Sequence, residues 1–115
     1  MLHDMTLRSA PFRKIAEGTK TVELRLYDEK RRRVAVGDTI CFRELQSGQT
    51  VCCEVTALYR FPSFEALYQK LDPAAIGYAP DEPSDPRDML AYYPAEDIAR
   101  YGVVGIGIKL CSPEI

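Results

Sequence analysis

Residues 103–110 read VVGIGIKL, and glycine at every second position of a strand restricts what this chain can fold into more than any other feature. Val104, Ile106, Ile108 and Leu110 alternate with Gly105, Gly107 and Lys109, the period of a strand whose side chains point to opposite faces in turn. Two bare positions on one face admit a close neighbour, such as a helix or the partner strand of a curved barrel. Further alternation recurs in HDMTLRS, in KTVELRL, after the Gly37-Asp38 turn in VAVGDTICF, and in TVCCEVTALYRF. In the last of these, Val51, Cys53, Val55 and Ala57 are expected on one face and Glu54 and Thr56 on the other.

Helical signals are shorter. Ser9 is expected to cap SAPFRKIAEG, with Phe12, Ile15 and Ala16 on one face and Gly18 as the stop. Ser63 is expected to cap SFEALYQKL, and Pro94 to open PAEDIARY ahead of Gly102. Phe61 and Phe64 are placed to fix the second helix to the core. Four prolines between Asp72 and Arg87 predict a long irregular excursion with at most short helical turns. Loops of that length inside a small domain are commonly functional. Strands dominate, so the expected class is α+β: a small mixed or antiparallel barrel-like sheet flanked by short helices. The 115 residues suit a single domain over 1–115.

Several function classes are disfavoured. No apolar run approaches the ~20 residues of a membrane span, and the N-terminus lacks the regions of a signal peptide, so cytoplasmic residence and no membrane partner are expected. Cys41, Cys52, Cys53 and Cys111 form no CxxC pair, and adjacent Cys52 and Cys53 point to opposite faces of a strand. They are expected as structural thiols, not as disulfides or metal ligands. His3 is the lone histidine, which leaves zinc chemistry and a histidine-assisted nucleophile short of parts. No metal and no cofactor are implied.

Net charge is −2, but residues 1–43 carry a balance of +4 and residues 44–115 one of −6. Such asymmetry creates a local field without a basic pI. The strand TVELRL carries the clearest candidates. If Val22, Leu24 and Leu26 face a core, then Thr21, Glu23 and Arg25 share the other face, with Lys20 at its mouth. That face is either a solvated strand surface with a Glu23–Arg25 pair or the floor of a site holding a carboxylate, a guanidinium fork and an ammonium. Lys30, Arg31, Arg32 and Arg33 read either as a solvated turn or as a rim that neutralises phosphates. At Tyr92-Tyr93-Pro94 one ring is expected to be buried and the other available to stack on a base.

Taken together, PFRKIAEGTKTVELR, VGDTICF, CCEVTALYRFPSFEAL and YYPAEDIARYGVVGIGIKL resemble the ASCH domain family of the PUA-like superfamily, in the expected order along most of the chain. The GxKxxExR arrangement Gly18–Arg25 is the most specific part. The resemblance implies a small PUA-like β-barrel with a cleft at its mouth that binds RNA, a nucleotide or a modified nucleoside through Lys20, Thr21, Glu23, Arg25 and Tyr93. It also brings an alternative, a small hydrolase of acylated nucleosides such as acetylcytidine, or a ribonuclease. In the bacterial amidohydrolase relatives a lysine, a threonine and a glutamate are catalytic. Lys20 falls on the lysine, the threonine position falls on Glu23, and Asp81 or Glu82 lies in the region of the glutamate. As an enzyme, the chain would use Lys20 and Glu23, with Glu23 as general base on water, since a carboxylate cannot replace a hydroxyl nucleophile without a change of mechanism.

Overall fold

In the computed structural model, which describes residues 1–111, all five alternating segments form strands of one sheet. In chain order these are β1 (Leu2–Leu7), β2 (Val22–Leu26), β3 (Thr39–Glu44), β4 (Thr50–Phe61) and β5 (Val103–Leu110). Helix α1 (Ser9–Glu17) follows β1, α2 (Phe64–Lys70) follows β4, and α3 (Ala95–Tyr101) precedes β5. The last four residues of the expected single domain lie outside the described residues.

The strand order is β1-β3-β4-β5-β2. β1 runs parallel to β3, and every other neighbouring pair is antiparallel. The sheet curls into a half-barrel with short helices outside it, an α+β PUA-like fold. β1 and β2 are its two edges, and the seam between them is where the barrel stays open.

Two apolar layers sandwich the sheet. Inside the curl, Ile40, Phe42, Cys53, Val55, Val104 and Ile106 pack with Met5, Leu7, Phe12 and Ile15. Outside it, Val22, Leu24, Leu26 and Val103 pack under α2 and the long loop through Phe64, Leu67, Ile76 and Met89. Full burial of an aliphatic side chain such as Leu67 contributes about 1.5–3 kcal/mol. The bare face of β5 has the expected use: a Cβ on Gly105 would lie 3.0 Å from Leu71 Cδ1 and 3.1 Å from Val22 Cγ1, so α2 and β2 close directly over the backbone.

Local details depart from expectation where a cap or a register decides them. Ser9 lies inside α1, whose N-cap is Arg8 with no side-chain cap bond, and Ala16 is exposed. Gly18 does stop the helix, in the left-handed region at φ 83°. Ser63 caps α2 by accepting from the Ala66 N–H. Pro94 is the N-cap of α3 and not its first residue. In β4 a bulge between Val55 and Ala57 inserts Thr56, and Leu58 takes over packing on the inner cluster. A bulge reverses which side chains face inward beyond it.

The expectation of four free thiols is overturned by the β3–β4 register. Cys41 stands directly opposite Cys52, and the two are joined by a disulfide with Cα atoms 4.1 Å apart. Spacing along the chain did not reveal this, because antiparallel pairing brings together cysteines that share no motif. Cys53 points into the core, where burial pushes its thiol up to about 11, and Cys111 is exposed.

Candidate functional site

Strand β2 is buried on both faces along its whole length. Glu23 pairs with Ile106 and Arg25 with Val104 in the β2–β5 register, so both charged residues point to the inner side of the half-barrel, beside apolar neighbours. Val22, Leu24 and Leu26 take the outer side. A solvated Glu23–Arg25 surface pair is therefore excluded: Glu23 is 3% exposed and Arg25 8%.

Burying these charges is tolerable only because they satisfy one another. Glu23 Oε1 lies 2.9 Å from Lys20 Nζ and accepts from the Leu24 N–H at 3.2 Å. Glu23 Oε2 accepts from Arg25 Nε at 2.9 Å and lies 2.8 Å from Nη2. Arg25 Nη2 also donates to Thr6 O of β1 at 2.8 Å. This bond crosses the open seam from one edge of the sheet to the other.

The balance of forces on Glu23 is legible. Burial pushes its carboxyl upward, but the charges and hydrogen bonds of Lys20 and Arg25 outweigh that and hold it below the ordinary value. Burial likewise pulls Arg25 down, and Glu23 together with the neighbouring Tyr93 raises it above the usual guanidinium range. Burial raises the Tyr93 phenol in turn, opposed by Arg25. The floor is thus an ionised triad, two cations on one carboxylate.

Lys20 is aimed by its surroundings. Lys14 O accepts from both the Thr19 and Lys20 N–H groups as the chain turns out of α1. The long loop then seals the outer edge of β2, with Ala75 O accepting from the Thr21 and Val22 N–H groups. Gly77 crosses the Lys20 stem so closely that a Cβ there would sit 3.2 Å from Lys20 Cδ, and its φ is +114°. Lys14 Nζ donates to Gly77 O at 2.6 Å.

Above this floor opens a cleft of about 770 Å³, bounded by β1, α1, β2 and the loop. Lys20, Glu23, Arg25 and Tyr93 all line it. Five cationic side chains and three carboxylates border the cleft, an excess that favours anions. Tyr93 stacks against Phe64, with ring centroids 6.2 Å apart and planes 15° apart. Tyr92 is the more open ring, 49% exposed, with the Arg8 guanidinium 4.7 Å from its centroid. On the far wall the Tyr78 hydroxyl shares a hydrogen bond with Tyr68 and donates to Asp88 at 2.8 Å. Lys14, Arg8, Tyr68 and Tyr78 were not singled out from sequence, because only tertiary packing brings α1 and the loop to this wall.

The remaining candidates sit elsewhere. Thr21 is exposed and outside the cleft lining. Lys30 Nζ donates to Asp4 O, Arg31 pairs with Asp28 at 2.8 Å, and Arg32 lies over the Tyr27 ring. Arg33 is exposed, and none of these four basic residues lines the cleft. Glu82 lines it with Oε1 accepting from the Ala79 N–H, whereas Asp81 does not. Among the described residues no three His, Cys, Asp or Glu side chains cluster to hold a metal, and no helix is long and apolar enough to cross a membrane.

A curled five-stranded sheet with flanking helices and a cleft floored by charged side chains at its open seam defines a PUA-like α+β protein. Residues 5–112 match the ASCH domain, and the chain belongs to that family. Among solved structures it is similar to the hypothetical protein PH0355, at 30% identity and a TM-score of 0.84, covering 96% of this chain and 100% of that one. It is also similar to PF0455 from Pyrococcus furiosus, at 28% identity and a TM-score of 0.70, covering 98% and 100%. A ZmASCH mutant protein from Zymomonas mobilis shares the fold at 13% identity and a TM-score of 0.62, covering 94% of this chain and 67% of that one. No curated protein matches the chain.

Proposed function

We propose that the protein binds RNA, a nucleotide or a modified nucleoside in the cleft between β1 and β2. The observation that carries this reading is the buried triad Lys20–Glu23–Arg25 at the floor of a cleft with tyrosines on its walls. A purely structural strand gains little from burying three charges, since apolar residues of similar volume are commonly as stable or more so. Lys20 and Arg25 bind phosphate or a base edge, Glu23 accepts from a base amine or ribose hydroxyl in the place that the Lys20 ammonium vacates as it turns to the ligand, and Tyr93 stacks on the base. Thr21 and the run Lys30–Arg33 lie outside the cleft lining; the run adds affinity that falls with salt.

The hydrolase reading draws less support. A general base works best with a pKa near the operating pH, whereas Glu23 is held below the ordinary carboxylate value with both oxygens engaged. Binding without turnover is therefore the favoured function, and hydrolysis of an acylated nucleoside or of RNA the lesser one.

Titration of a fluorescein-labelled single-stranded RNA and of unlabelled nucleosides at low salt tests this. Lys20→Ala is expected to weaken binding at least tenfold, and Tyr93→Leu by the ~1–3 kcal/mol of a base–aromatic stack. Absence of binding by the wild type, or an unchanged Lys20→Ala variant, sinks the proposal. Incubation with acetylcytidine and a short RNA, read by mass spectrometry, tests the second reading. New products abolished by Glu23→Gln would restore the enzyme.

A further inference from the structure

Arg25 borders a second depression as well as the cleft. It has a volume of about 480 Å³ and is lined along β1, β3 and the Arg31–Arg33 turn by Arg25, Lys30, Arg31, Arg43, Asp4 and Thr50, among others. Its character differs from that of the cleft in two ways. Four cations face one carboxylate, and no aromatic side chain lines it among the described residues, whereas four tyrosines line the cleft. A hollow with cations and hydroxyls but no ring favours a phosphate over a base.

The cations differ in how far they are already compensated. Arg25 is paired with Glu23 and Arg31 with Asp28. Lys30 reaches only the carbonyl of Asp4, and Arg43 has no ion pair among the described residues. Lys30 and Arg43 therefore bring charge that the protein itself leaves uncancelled. The Lys30–Asp4 and Arg25–Thr6 bonds also fix Lys30 and Arg25 to the free edge of β1, so the hollow is bounded by the same seam that defines the cleft.

We propose that this hollow is a second phosphate subsite, and that the ligand is a single-stranded RNA segment whose base enters the cleft while the phosphate of an adjacent nucleotide sits between Arg43, Lys30 and Arg31. The proposal rests on the cleft reading above and names its ligand class. Arg25, bordering both depressions, is the junction between the two subsites. A free nucleotide occupies the cleft, with Lys20 on its phosphate, and leaves the hollow empty; a strand occupies both.

Binding of an eight-nucleotide single-stranded RNA and of the four nucleoside monophosphates is compared for the wild type, Arg43→Ala, Arg43→Glu and Lys20→Ala. Arg43 is exposed, so its variants are expected to fold, which circular dichroism checks. The wild type should prefer the RNA by at least about tenfold at low salt. Arg43→Ala should weaken RNA binding about fivefold and lower the log–log salt slope by about 0.7, the loss of one phosphate contact on a single strand. Arg43→Glu should weaken it further, and neither variant should change monophosphate affinity. If both Arg43 variants bind RNA with wild-type affinity and slope while Lys20→Ala does not, the second subsite is wrong and the cleft stands. If they weaken the monophosphates as much as the RNA, the division into subsites is wrong. If the wild type binds neither probe, the cleft reading falls and takes this one with it.

Discussion

The two edge strands of the half-barrel are close in length and opposite in character. β1 alternates exposed and buried residues along its six positions, the ordinary pattern of a strand with one face in the core. β2 carries the same kind of alternating sequence, yet all five of its residues are buried. The difference arises outside the strands. The loop from Asp72 to Tyr93 and helix α2 cover the apolar side of β2, so its charged side turns into the barrel. β1 has its outward face free and offers only carbonyls, Asp4 O and Thr6 O, to the side chains crossing the seam. Alternation thus marks a solvated edge in one case and the floor of a cleft in the other.

The contrast between the two edges depends most on the charge that holds β2 together. Glu23→Ala leaves Lys20 and Arg25 without their carboxylate, and loss of one partner of a buried ion pair costs about 3–5 kcal/mol. Thr6→Ala on β1, which keeps the carbonyl that Arg25 uses, should stay within about 0.5 kcal/mol. Urea unfolding of the two variants checks both, and equal effects would erase the distinction between the edges. The pH dependence has the same origin. Because the Glu23 carboxyl is held below its ordinary value of 4.5, its stabilisation is complete above that value. It is lost as pH falls through the lower folded value. Acid should therefore destabilise the wild type more than Glu23→Gln.

The β1 side of the sheet has a different fastening, the Cys41–Cys52 disulfide between β3 and β4. Closing a loop of this size stabilises by roughly 2–3 kcal/mol in the chain-entropy view. Reductant, or paired Cys41→Ser and Cys52→Ser, should lower stability by that amount. Thiol titration of the unreduced, denatured protein should count two free thiols; four would contradict the cross-link. A smaller effect sits at the contact that aims Lys20. Gly77→Ala places a Cβ against the Lys20 stem at positive φ and should cost about 1–2 kcal/mol, with a loss of RNA affinity that no equivalent change on β1 produces.

Much of the fold is legible in the sequence because it is local. Five period-two segments, the stop at Gly18, the Ser63 cap and the paired glycines of β5 each depend on a handful of neighbours. What escapes is set by contacts between distant segments. The register that joins Cys41 to Cys52, the bulge at Thr56 and the carbonyl of Ala75 that seals β2 are properties of the assembled sheet. The candidate site divides the same way. Lys20, Glu23 and Arg25 form one short strand segment and its entry, so their neighbourhood follows from alternation. That Glu23 and Arg25 face inward follows only from knowing what covers Val22, Leu24 and Leu26. Likewise, the sequence offers two rings at Tyr92-Tyr93, and packing on Phe64 decides that Tyr93 is the more buried.

If the buried triad floors a nucleic-acid-binding cleft and does more than brace β2, RNA must reach it. Amide chemical-shift mapping of the labelled protein during titration with a short single-stranded RNA tests it most directly. Coherent shifts are expected at Leu24, Arg25, Gly77 and Tyr93, with the exposed Tyr59 and Leu110, which lie outside the cleft lining, unmoved. Shifts that avoid β2 and the loop, or none at saturating RNA and low salt, would contradict it.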